Sequence, residues 1–257
     1  MVLAISDFGG GREQAAAVPA QRQTADAAST ITAALQRAAE LSEAGAHESA
    51  LVLLDRTLEM HLGAAELHTA RGWALENLAP ARLAEARAAY EAAVALDARQ
   101  LWASVGLATV LGQLGRSDLC PPIYRDVVEQ ASVRALREPE YHELLGWCQY
   151  RLGRLEEAAA TFARALAIDD AWVSVRFDLG LVLLLLGDTD AATLHYRGGL
   201  CSLAERGPNL QAGPLKVALD DLIEALRQHP SVAAAPASAR VRELLARALH
   251  AALGRHE

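Results

Sequence analysis

The chain has 257 residues, a formal net charge of −8, and 52% hydrophobic residues against only 5% aromatics. That acidic balance excludes the basic face on which nucleic-acid recognition depends, and it favours neutral or basic partners. Much of the apolar content is Ala and Leu, both strong helix formers. The three cysteines (Cys120, Cys148, Cys201) form no CxxC pair, which fits a reduced, cytoplasmic setting.

Residues 1–30 are rich in Gly, Ala and Gln with little periodicity, and are read as a flexible tail. The opening MVLAISDFGGGREQ has neither a positive region nor a long apolar stretch, so it is not read as a signal peptide. Its segment Val2–Phe8 is apolar enough to fold back onto an apolar groove of the same chain.

Beyond residue 30 the sequence repeats itself. Gly146 and Gly180 are 34 residues apart, as are Gly153 and Gly187, Ala158 and Ala192, and Phe162 and Tyr196. Ala38, Gly72 and Gly106 keep the same spacing upstream. Self-similarity at this period marks a solenoid of helix–turn–helix units. The units fall at 31–64, 65–98, 99–138, 139–172 and 173–206.

Unit four is the best formed, running YHELLGWCQYRLGRLEEAAATFARALAID from Tyr141 to Asp169. Gly146 and Ala158 are small where the two helices cross, because a larger side chain would overpack the crossing by about 1–3 kcal/mol. Phe162 fills the space between helices, and the same slot holds Leu54, Tyr90, Tyr124 and Tyr196. Gly153 and Gly187 are placed to end helices in a left-handed conformation, and Asp97 and Asp169 to close the second helices.

Unit three departs from the pattern, with Cys120 at the small position and Pro121-Pro122 in the first helical turn, where proline is tolerated. Gln130 to Pro139 forms an insertion before unit four. The apolar run Leu179–Leu186 is far short of the ~20 residues of a membrane span and reads as a buried helix. Beyond unit five, Leu215–Gln228 and Arg240–Leu253 are two amphipathic helices that either cap the solenoid or form a docking element of their own.

On these glycine, alanine and aromatic positions, residues 31–206 resemble the tetratricopeptide repeat family. The resemblance implies an all-α fold, a right-handed superhelical solenoid of antiparallel helix pairs with C-terminal capping helices. In that family the first helix of each unit lines the concave face through repeat positions 2, 5, 9, 12 and 13. Carried over to this chain, the inward candidates for partner binding are Leu35, Glu66, Thr69, Trp73, Leu107, Glu140, Glu143, Trp147, Tyr150, Arg151, Phe177 and Leu181. Family members that clamp an acidic carboxyl terminus use Lys, Arg and Asn at these positions. Here only Arg151, with Asn77 at the groove mouth, is of that kind, so that mode is not expected. The expected partner is an apolar or amphipathic protein segment with some basic residues, and an apolar groove also leaves room for self-association.

The sequence offers little for catalysis. GxSxG, HExxH and GxxxxGK motifs are missing, and Lys216 is the only lysine. His68 and His142 share one repeat position with Trp102 and Arg176, which reads as a packing slot and not a metal site. Trp102 and Trp172, off the inward positions, read as core. Cys148 sits beside Trp147 with no basic residue nearer than Arg151 and reads as an inert thiol. The expectation is a non-enzymatic adaptor or scaffold without cofactor or metal. The alternatives are a cytoplasmic secretion or assembly chaperone of the type III kind, shielding a hydrophobic client, and a regulatory subunit of an enzyme complex.

Overall fold

A computed structural model describes residues 11–78, 80–205 and 212–254, with side chains from residue 26 onward. Within these residues the chain folds into thirteen α-helices and no strand. The first two pairs are α1 (Gly11–Glu43) with α2 (His47–Met60), and α3 (Ala65–Leu78) with α4 (Leu83–Leu96). Next come α5 (Leu101–Gln113) with α6 (Cys120–Arg134), α7 (Tyr141–Arg151) with α8 (Leu155–Ile168), and α9 (Val173–Leu186) with α10 (Thr189–Glu205). Three more helices follow: α11 (Ala212–Gln228), the single turn α12 (Pro230–Ala233) and α13 (Pro236–Leu253).

Each helix packs on the next from α1 to α10, as an all-α helical-repeat solenoid requires. The first helices of the pairs also touch one another (α1 with α3, α3 with α5, α5 with α7, α7 with α9), whereas second helices make no comparable contacts. A curved stack crowds like elements on its inside. The first helices therefore form the inner wall and the second helices the outer one.

The glycine–aromatic spacing has a direct physical cause. Tyr90, 1% exposed, lies between Gly72 on α3 and Gly106 on α5, and a methyl added to Gly106 would come within 2.3 Å of its ring. Gly146 makes the same room for Phe162, with 2.6 Å to a notional methyl. The small residue thus accommodates the aromatic ring of an adjacent helix, and at Gly180 the Ala192 backbone also comes within 3.4 Å. One ring in each slot binds two helices of its own unit, or two units, into one core.

The turns follow their residues too. Gly153 and Gly187 have φ of 75° and 89°, the left-handed end that glycine permits without strain. Asp97 and Asp169 are the C-caps of α4 and α8. Pro121 and Pro122 sit in the first turn of α6, where the missing N–H groups have no helical partner to lose. The longer turns before α4 and α6 are taken up by short 3₁₀ segments, Pro80–Arg82 and Ser117–Leu119.

Two expectations need correction. The stretch over residues 1–30 read as a tail is helical from Gly11 onward, as part of α1. Its Ala-, Gln- and Arg-rich composition has high helix propensity without an apolar stripe, so periodicity alone misses it. Residues 1–10, with the Val2–Phe8 segment, lie outside the described residues. Trp102 is not core, being 42% exposed. Trp172 does pack beside Ala158 and Phe162.

The carboxyl-terminal helices do more than extend the stack. α13 packs on α10 and α11 and covers the end of unit five. α11 leaves the stacking direction, touching α9 on the inner wall and, at its amino end, α1. A methyl on Gly213 would meet the Ser42 carbonyl oxygen at 2.3 Å, and one on Gly45 would meet the Ala212 methyl at 3.6 Å. The last helices thus reach back to the first pair and close the solenoid on itself.

Candidate functional site

The inner wall is crossed by polar rungs that tie one first helix to the next. At the amino end of α3, Gln100 Nε2 donates to Glu66 Oε1 at 3.3 Å. At its carboxyl end, Gln113 Nε2 donates to Glu76 Oε1 at 3.5 Å, and Tyr90 Oη donates to Glu76 Oε2 at 2.9 Å. Further along, Glu143 on α7 accepts hydrogen bonds from Ser174 and Trp172 at the start of α9.

Between the two rungs of α3 stands Trp73, 44% exposed. Glu66, Thr69, Trp73 and Glu76 share one face of the helix, spaced by three or four residues. Thr69 Oγ1 donates to the Ala65 carbonyl one turn back at 3.0 Å, and Asn77 Nδ2 donates to the Trp73 carbonyl at 3.0 Å. Leu107 on α5 is half-buried and bridges the cores of units two and three. Leu35 on α1 is likewise half-buried against the core of the first two units.

A second aromatic group lies on α7. The Trp147 and Tyr150 rings are 5.2 Å apart and tilted by 55°. The Arg151 guanidinium lies over the Tyr124 ring at 5.3 Å and over the Trp147 ring at 5.8 Å. Such contacts contribute about 0.5–2 kcal/mol each. Glu140, exposed, precedes α7 near Trp172 and Asp169.

The remaining predicted residues are covered. Phe177 is 4% exposed and Leu181 2%, both within the core that α9 shares with α10, α11 and α13. Phe177 stacks on Tyr196 at 5.9 Å, and a methyl on Gly199 would meet its ring at 2.5 Å. Tyr150 packs against the same core. Seven of the predicted residues fall into two groups. Glu66, Thr69, Trp73 and Leu107 line a wall that is open, whereas Tyr150, Phe177 and Leu181 lie where α11 packs.

The inner wall is also acidic. Glu76, Glu143 and Asp178 project from α3, α7 and α9, and Asp221 from α11. Burial pushes the Glu76 carboxyl up to about 7, with the Asp221 charge adding to the effect and the Tyr90 hydrogen bond opposing it. Burial likewise raises Asp221 to about 7, opposed by the Arg151 charge. Asp178 is raised well above the ordinary range by burial and by the charges of Glu143 and Asp221. Sequence reasoning places Glu76 at an inward repeat position but missed Asp178 and Asp221 beside it. Glu76 and Asp178 fall at repeat positions 12 and 6, and nothing local places Asp221 opposite them.

His68, His142 and Cys148 take structural places. His68 Nε2 pairs with the Leu62 carbonyl and His142 Nδ1 with the Pro139 carbonyl, as helix-start contacts. Cys148 is fully buried, and burial raises its thiol to about 12. Among the described residues no helix is long and apolar enough to cross a membrane.

Helix pairs stacked in register around an inner wall define a helical-repeat protein. The tetratricopeptide repeat family profile matches residues 139–172, the unit of α7 and α8. Residues 139–172 are thus similar to a tetratricopeptide repeat, within an all-α helical-repeat solenoid. No curated protein matches the sequence. Several solved structures do. PilF of Pseudomonas aeruginosa is 18% identical over 85% of this chain and 99% of its own, with a TM-score of 0.48. YrrB, described as a tetratricopeptide repeat protein with an unusual peptide-binding site, is 22% identical over 66% and 84% of the two chains, with a TM-score of 0.36. MamA from Desulfovibrio magneticus RS-1 is 20% identical over 66% and 93%, with a TM-score of 0.40.

Proposed function

We propose that this protein is a non-catalytic adaptor that holds an apolar or amphipathic segment of another protein against its inner wall. The observation that carries the reading is Trp73, a large aromatic left nearly half exposed between two glutamine–glutamate rungs. Those rungs fix the polar frame without covering the indole. An aromatic anchor of this kind, once desolvated by a partner, contributes about 2 kcal/mol or more to binding. Glu66, exposed at the amino end of α3, favours a segment with basic residues beside its apolar anchor. The wall is made of rigid helices, so little ordering cost falls on the adaptor.

The test is a photo-crosslinking amino acid at Leu107, used in the native host to capture and identify what contacts the wall. Binding of the captured protein is then measured by calorimetry. Trp73→Ala should weaken it by about 30-fold, the equivalent of 2 kcal/mol, with the helical circular dichroism unchanged. Equal affinity of the two forms would contradict the proposal.

A further inference from the structure

The part of the inner wall that Trp73 does not occupy already holds a helix. α11 lays Leu215, Leu222, Ala225 and Leu226 into the core shared with Phe177 and Leu181. Its amino end stops on backbone carbonyls of Ser42 and Glu43, where only glycine at position 213 fits. An amphipathic helix seated on this wall is therefore not hypothetical chemistry. The chain supplies one.

Yet α11 is poorly matched in charge to its seat. Asp221 faces the wall near Glu76 on α3 and Asp178 on α9, and Asp178 is itself close to Glu143 on α7. Four carboxyl groups thus converge on one face from four helices. Arg151 is the cation in their range, and its guanidinium is drawn over the Tyr124 and Trp147 rings. Among the described residues no ion pair forms at Asp221, and the lysine of α11, Lys216, pairs with the exposed Asp220 at 3.0 Å. Carboxyls gathered out of water dock only by giving up their charge, which costs free energy at neutral pH, whereas an opposite charge in the same place favours docking.

We infer that α11 fills in cis a seat that a partner helix takes in trans, and that the favoured partner is an amphipathic helix carrying Lys or Arg where α11 carries Asp221. The inference rests on the inner wall being a binding surface. It adds the identity of the internal competitor and the charge that decides the exchange. A helix with the apolar spacing of α11 and a basic residue at that place keeps the packing and turns a costly contact into an attractive one. α11 then leaves its seat on the wall.

Two synthetic peptides test this on the full chain, followed by fluorescence anisotropy. One has the sequence of residues 212–229 and the other carries Asp221→Lys. The lysine peptide should bind at least about tenfold more tightly than the native one. Gly213→Val, which breaks the seat of α11 at Ser42, should strengthen binding of the lysine peptide by a further tenfold or so. Conversely, a chain with Gly45→Cys and Ala212→Cys, in a Cys201→Ser background, holds the two positions at a separation suited to a disulfide. Oxidised, it should lose peptide binding, and reductant should restore it. Peptide binding that is equal in oxidised and reduced chains, equal for the two peptides, or absent from the Gly213→Val chain would overturn the inference. None of these outcomes touches the Trp73 test, so failure here leaves the adaptor reading to stand or fall separately.

Discussion

At the scale of single residues, the fold depends on where a side chain is missing. Tyr90 and Phe162 fit because Gly72, Gly106 and Gly146 have no Cβ. Gly106→Ala drives a methyl into the Tyr90 ring and should destabilise the chain by about 1–3 kcal/mol in urea denaturation. Gly63→Ala, with nothing within 4 Å, should leave the midpoint almost unchanged. These positions were legible in the sequence because steric exclusion recurs at a fixed spacing. Trp102 was not read correctly, although a signal was present: its repeat position is filled elsewhere by His68, His142 and Arg176, residues that keep a polar end in water.

Titration belongs to this scale as well. The Asp221 and Glu76 carboxyls keep their protons up to about pH 7 in the closed chain, whereas a released carboxyl loses its proton near 4. The closed state therefore binds more protons between those values, and its stability falls as pH rises through that window. Glu143 and Asp178 act in the same sense, and the Arg151 charge opposes them at Asp221. His47 acts the other way. It is buried with neither ring nitrogen hydrogen-bonded, and burial and the Lys216 charge lower its pKa, so its contribution is lost as pH falls below about 6.5. Asp221→Asn should accordingly reduce the loss of stability between pH 5 and 8, read from urea midpoints across that range. A midpoint profile identical to that of the native chain would contradict the assignment.

At the scale of elements, most helices announce themselves. The 34-residue spacing indicated a repeated helix pair, and the glycine and aspartate ends were read from local turn chemistry. Two elements were not legible, for different reasons. α1 is long because its amino-terminal half is rich in helix-forming residues, and propensity without periodicity leaves no stripe to find. α11 was recognised as an amphipathic helix, but its direction depends on Gly213 meeting carbonyls some 170 residues earlier in the chain. No local pattern carries that information. Leu222, fully buried on α11, provides the matching test. Leu222→Ala should cost about 2–4 kcal/mol in urea denaturation, against little change for Ile223→Ala, which faces solvent.

At the scale of the whole molecule, the inner wall is divided between an open half and a covered half. Trp73, Glu66 and Leu107 stand on the open half, and Phe177, Leu181 and Tyr150 lie under α11. An open solenoid has two free ends, each stabilised only by its neighbour. Here the end is joined to the beginning, so hydrogen exchange in α11 and in the last turns of α1 should slow together and rise together in Gly213→Val. The sequence alone indicated the curved stack of pairs and a groove with aromatic anchors. It did not indicate that the chain brings its own helix to that groove, because closure is a contact between the two ends.

Closure is also the point most open to direct measurement. Spin labels at Ser49 on α2 and Asp220 on α11, both exposed, in the Cys201→Ser background, report on it by pulsed electron resonance. Asp220 lies about 12 Å along its helix from the contact between Gly45 and Ala212. A closed chain predicts one narrow, short distance population that broadens and lengthens in Gly213→Val. A broad, long distribution already present in the unaltered chain would contradict the seating of α11 on the inner wall.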